Sequence, residues 1–242
     1  MNPALLLLLI GVPLLASALS VLITSRTVDR VLLLAAPSFV GIFGVVLLFV
    51  HQHEPVLAHS VGGYVPGLAI PFVSDTFTAL MLVLTSATAI ASCIFLITTG
   101  EDQYRFVPAL ILMMLTGVYG ALLTGDLFNF FVFVEVMVLP AYALIAVTGT
   151  WRRLGVGRMY VMVNLLTSTI LLIGVGFVYG ATGTVNIAVL AEMGAPTGQG
   201  ALAIGVVLTR TLLQGKRTRW QQSPFLLTAN KPVQDEDKDE SE

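Results

Sequence analysis

TGDLFNFFVFVEVMVLPAYALI, residues 124–145, sets the carboxylate of Glu135 deep inside an apolar run. An ionised side chain at the centre of a bilayer costs on the order of 3 kcal/mol on insertion scales, so such a group faces a bundle interior or a water-filled cavity. Counting from Asp126 at the start of the run, Glu135 lies about 13 Å along a helix rising 1.5 Å per residue, near the middle of a hydrocarbon core about 30 Å thick. Five residues on, Pro140 lacks the N–H that would satisfy the carbonyl of Val136, and its ring favours a helix kink there. The helix is weakened just past its one internal charge.

The rest of the chain is as apolar as this run. Of its 242 residues 56% are hydrophobic and 11% charged, whereas soluble domains carry about 25% charged residues. That excludes an ordinary soluble domain and leaves an integral membrane protein. The net charge of -2 resides in loops and a terminal tail, and no basic face remains for nucleic acid. The lone cysteine, Cys93, lies within an apolar run and is expected to serve packing. The first residues, MNPALLLLLIGVPLLASALSVLITSR, have no basic residue ahead of the apolar region. A secretory signal needs one there, so this reads as a first transmembrane helix with its amino end outside.

Seven apolar segments follow from the hydropathy pattern: Pro3 to Ile23, Val31 to Val50, Thr76 to Thr98, Phe106 to Leu123, Leu127 to Thr148, Met159 to Tyr179 and Ala201 to Leu213. Six are long enough to span, and the seventh is short. The basic residues test this division independently. Arg26 and Arg30, then Arg105, then Arg152, Arg153 and Arg158, then Lys216, Arg217 and Arg219 all fall in alternate connections, with no Lys or Arg in the others. The positive-inside rule therefore predicts the amino end out and, if the seventh segment crosses, the carboxyl end in. The expected fold is an all-α polytopic transmembrane bundle of six to seven helices over residues 1–214. A disordered, charged inner tail over 215–242 follows, ending in DEDKDESE, six acids against one lysine.

One long outer connection runs from His51 to Ser74, and Gly62, Gly63, Pro66, Gly67 and Pro71 mark it as a short hairpin. His51, His53 and His59 within it lack the carboxylate and cysteine set of a metal site and are read as interfacial polar residues; no metal is expected. Gly176 and Gly180, in GFVYG, form a small-xxx-small pair expected to pack closely on another helix, with hydroxyls at Thr167, Ser168 and Thr169 in the same segment. The GVG at residues 155–157 follows no strand and opens no dinucleotide fold.

GDLFNFFVFVEVMVLPAYALI, and again RMYVMVNLLTSTILLIGVGFVYGATGTVNIAVLA, resemble the D-type component of the multisubunit Na+/H+ antiporters of bacteria, the Mrp or Mnh type. That component is similar to the antiporter-like, proton-pumping membrane subunits of respiratory complex I. The resemblance runs from about Met1 to Ala195. It implies that Glu135 is the family's essential helix-five glutamate, working opposite a lysine on a broken helix seven. Relatives are about twice as long, in two inverted repeats, and the likeness fades where helix seven begins, as in a chain truncated after helix six. The three lysines, Lys216, Lys231 and Lys238, all lie in the tail. Arg210, about 15 Å into the seventh segment, either pairs with Glu135 at matched depth or snorkels to the inner headgroups. Guanidinium holds its proton too firmly to relay it as an ammonium does.

The resemblance implies a membrane subunit of a monovalent cation/proton antiporter, in the inner or plasma membrane of a bacterium. Its partners would be other subunits of the complex, protons, Na+ or another monovalent cation, and the lipid bilayer. Glu135 would carry the proton: burial favours the neutral carboxyl, and a nearby cation or water favours the charged one. Asp126 and Asn129, at the outer end of the same helix, either help hydrate its entrance or, for Asp126, answer the helix amino end. A complex I-type membrane subunit is the nearest alternative. Another is a truncated structural or assembly component that transports nothing. No cofactor is expected, because no motif for NADH, flavin or iron–sulfur binding is present, and redox chemistry would belong to partners.

Overall fold

In hydrocarbon every backbone N–H and C=O must find its partner within its own segment, so apolar stretches of this length become helices. The computed structural model describes residues 3–23, 25–61, 70–147, 149 and 151–192. After a 3-10 turn at Pro3–Leu5 come α1 (Leu6–Leu22), α2 (Arg26–Val50), strands β1 (Val56–Ser60) and β2 (Pro71–Asp75), and α3 (Thr76–Thr99). A second 3-10 turn at Glu101–Gln103 leads into α4 (Val107–Leu123), α5 (Leu127–Ala146), α6 (Trp151–Thr182) and the short α7 (Ile187–Glu192). The seventh apolar segment, Arg210 and the charged tail lie outside the described residues.

Local chemistry sets the boundaries. Asp75 caps α3 by accepting the Thr78 N–H at 2.7 Å, and Gly100, at φ 75°, ends that helix in the left-handed region where a side chain is strained. Helix α2 begins at Arg26, one turn before the expected Val31, because its polar first turns find partners. Asp29 accepts the Ser20 hydroxyl at 2.6 Å and Arg30 pairs with Asp102 at 2.5 Å. Helix α6 begins at Trp151, well before Met159, and carries Arg158 inside it. Its glycine-rich start stays helical where Gly157 meets Ile145 of α5, the point at which the chain folds back. At 32 residues it is about 48 Å long, more than a bilayer core requires.

Four helices, α2, α3, α5 and α6, are long and apolar enough to cross a membrane. The six spans expected from hydropathy are thus reached only with α1 and α4, which hold 17 residues each and extend about 25 Å, close to the lower limit for a span. Helix α4 packs against α1 and α5, α2 against α3, and α6 against α5. Leu6, Leu9, Val40, Leu47, Leu82, Leu115, Tyr119 and Leu123 fill the centre. Outside it the surface is equally apolar, with Ile42 and Phe95 each 68% exposed, as suits a lipid-facing wall. Two interhelical hydrogen bonds stitch the interior: Ser17 donates to the Ala109 carbonyl at 2.9 Å, and the Ser86 and Tyr119 hydroxyls meet at 3.2 Å.

The connections gather at two ends. The Arg30–Asp102 pair joins the α1–α2 and α3–α4 connections at one, the basic end. At the other, β1 and β2 form the expected antiparallel hairpin, with Val56 opposite Asp75 and Ser60 opposite Pro71. Buried His51 ties it down, with Nδ1 at 2.9 Å from the Glu54 carbonyl and Nε2 at 3.0 Å from Ser74 Oγ. The expected packing of Gly176 and Gly180 is not found among the described residues: a Cβ at either meets nothing within 4 Å. The close approach is made instead by Gly117 and Gly120 of α4, where a Cβ would come within 2.6 Å of the Met137 nitrogen or strike the Phe133 ring.

Two outcomes follow from this packing. Gly117→Ala must push α4 off the α5 backbone, an overpacking cost of about 1–3 kcal/mol, so it should lower the melting temperature in detergent while Gly176→Ala does not. The Arg30 guanidinium holds the Asp102 carboxyl below the usual carboxylate range. A depressed value means the pair stabilises above that range and ceases to as the pH falls through the folded value. Thermal unfolding of Asp102→Asn should therefore differ from wild type near neutral pH and converge with it as the pH falls below the usual carboxylate range.

Candidate functional site

Helix α5 is placed from its first residues. The Asp126 side chain accepts the Asn129 N–H at 2.8 Å, a helix cap, and the Asn129 amide donates to Thr124 Oγ1 at 2.9 Å. Asp126 thus answers the helix amino end, and Asn129, buried, is spent on the same turn. The link 124–126 is paired on both sides. Gly125 N–H donates to the Pro71 carbonyl, Leu127 N–H to Val185, and Ile187 N–H to Gly125, each at 2.9 Å. The hairpin and the chain leaving α6 therefore grip the start of α5 from opposite directions. Farther along, α5 runs unbroken through buried Pro140 to Ala146, and the Val136 carbonyl forgoes its helical partner there.

Glu135 sits midway along α5, half-buried. Met137 and Phe133, two residues to either side, face α4, and two residues turn an α-helix by about 200°. Glu135 is thereby aimed away from α4. Tyr142, seven residues on and so on the same face, stacks edge-on against Tyr160 of α6, ring centroids 5.2 Å apart at 78°. Tyr142 also lies within electrostatic range of the Asn164 side chain and of Glu135. Asn164 is one turn beyond Tyr160, so Glu135, Tyr142, Tyr160 and Asn164 form a polar seam between α5 and α6.

Three buried side-chain atoms among the described residues have no hydrogen-bond partner: Asp102 Oδ1, Glu135 Oε1 and Asn164 Nδ2. Two of the three belong to this seam, one an acceptor and one a donor. Leaving such an atom unpaired costs about 1–3 kcal/mol, which is tolerated where function needs it. Of the residues singled out from sequence, Glu135, Asp126, Asn129 and Pro140 all lie on α5, and Glu135 stands apart from the cap. Tyr142, Tyr160 and Asn164 were not singled out. Their signal was available in spacing: Tyr160 and Asn164 are four apart on one helix, Glu135 and Tyr142 seven apart on the other.

Residues 124–220 match the family model described as NADH:quinone oxidoreductase/Mrp antiporter, TM. The D-type component of the Na(+)/H(+) antiporter from Bacillus subtilis is 32% identical over 203 residues, 81% of this chain and 41% of that protein. A chain of the Mrp complex from Dietzia sp. DQ12-45-1b superposes with a TM-score of 0.81 and 42% identity, covering 88% of this chain and 41% of that one. Respiratory complex I from Thermus thermophilus contains a chain of the same fold, with a TM-score of 0.62 at 20% identity over 86% of this chain and 42% of that one. The fold and the matches define a relative of the membrane subunits common to NADH:quinone oxidoreductases and Mrp antiporters. Within that class the chain is similar to the D-type component of the Mrp antiporters, and it spans less than half the length of that relative.

The cap at residue 126 depends on a side-chain oxygen. Asparagine caps as well as aspartate, whereas alanine forfeits about 1 kcal/mol. Asp126→Asn should keep thermal stability, and Asp126→Ala should lower the melting temperature, as read by unfolding in detergent.

Proposed function

We propose that this chain is a membrane subunit of a multisubunit monovalent cation/proton antiporter in which Glu135 takes up and releases the transported proton. The observation that carries the reading is the Glu135 carboxyl at mid-helix, with one oxygen buried and without a hydrogen-bond partner among the described residues and with Tyr142 within electrostatic range. A group that exchanges protons needs a free oxygen and a polar neighbour that positions water. The names of the relatives support Na+ or another monovalent cation as the counter-ion. The basic end, with Arg26, Arg30, Arg105 and Arg158, faces the cytoplasm of a bacterial cell under the positive-inside rule. Partner subunits would cover the apolar flanks of α5 and α6, where Phe128, Leu139, Leu165 and Phe177 are exposed.

A second reading is favoured by the family model, whose description spans both antiporters and quinone oxidoreductases. There the same Glu135 chemistry would be driven by electron transfer in partner subunits.

The test is transport by the assembled complex in inverted membrane vesicles, followed with a pH-sensitive dye. Glu135→Gln keeps the shape and removes the titrating group, and loss of general acid–base function lowers rates by about 100-fold or more. Undiminished antiport by Glu135→Gln would sink the relay role. Cation-driven proton movement without NADH supports the antiporter; proton movement that requires NADH and quinone supports the alternative.

A further inference from the structure

The seam between α5 and α6 has more in it than the carboxyl group. The Tyr142–Tyr160 ring contact sets the level of one helix against the other. A short link makes the two helices antiparallel neighbours, so moving back along α5 and forward along α6 leads in the same direction. From that contact Glu135 lies about 10 Å along α5 and Asn164 about 6 Å along α6, at 1.5 Å per residue. The axial offset between them is about 4.5 Å; Oε1 and Nδ2 share no direct hydrogen bond, and a single bridging water can close the gap. An orphan acceptor, Glu135 Oε1, and an orphan donor, Asn164 Nδ2, flank that gap. A buried water needs two to four polar partners, and Tyr142 lies within electrostatic range of both groups.

We infer that Asn164 is the positioning residue of the proton site: its amide holds a water molecule against the buried oxygen of Glu135, and the proton passes through that water. The step balances simply. As the carboxylate takes up a proton, an O–H bond of the protonated water breaks and one forms at Oε1, leaving neutral water on the Asn164 amide; release is the reverse. Tyr142 steadies the amide from the α5 side, and Tyr160 carries the polar line toward the basic end. The inference rests on the reading of Glu135 as the proton carrier and assigns the group that serves it.

Its test uses the assembled complex in membrane vesicles, with two readouts. Asn164→Leu keeps the branched shape and removes the amide; antiport should fall about tenfold, the effect of one lost hydrogen bond. In infrared difference spectra the protonated carboxyl band, assigned by its disappearance in Glu135→Gln, should move to higher wavenumber as its hydrogen-bonded partner is lost. Asn164→Ser, which restores a hydroxyl and room for water, should recover most of the rate and return the band. Should Asn164→Leu reduce the amount of assembled complex, Asn164→Ala takes its place with the same two expectations. Normal antiport and an unmoved band in the apolar variant overturn the positioning role while an inactive Glu135→Gln leaves the relay intact. A fully active Glu135→Gln removes both.

Discussion

Gly117 has no side chain to hold α4 away from the backbone of Met137, and the rest of the molecule's arrangement around Glu135 depends on that contact. Two helices that touch along Gly117 and Gly120 fix the face that α5 turns to α4. Helical geometry then leaves Glu135 facing away from α4, on the face that Tyr142 turns to α6. A residue with a Cβ at either glycine would rotate or displace α5 and carry the carboxyl with it. Lipid supplies no hydrophobic drive between helices, so close packing of small residues has to do this work.

The two ends of the bundle are held by different chemistry. At one, backbone hydrogen bonds from the link 124–127 to Pro71 and Val185 bind the hairpin, α5 and the chain after α6 into one junction. At the other, charge does it, through Arg30 on Asp102 and Ser20 on Asp29. Between these fixed ends α5 carries its one internal weakness, Pro140, a turn and a half past Glu135.

Most of the helices were legible in the sequence because hydropathy and the alternation of arginines report the same thing twice. The hairpin was legible from the glycines and prolines of the outer connection. The starts of α2 and α6 were not, since both open on polar or glycine-rich turns that hydropathy reads as connections; in the fold, Arg30 of the first finds Asp102. Gly176 and Gly180 show the converse. Their spacing has the form of a packing motif, yet among the described residues the motif's work is done by Gly117 and Gly120, three apart in an ordinary-looking helix.

By itself the sequence determined that a carboxylate lies at mid-depth in an apolar helix, because depth along a helix is only a count of residues. It determined also which connections share a side, because charge is costly to move across a membrane. Which way the carboxyl points, and that its face of α5 is the one Tyr142 turns to Tyr160 of α6, only the tertiary structure decided. Orientation about a helix axis is set by neighbouring helices, and here that neighbour is a pair of glycines on α4.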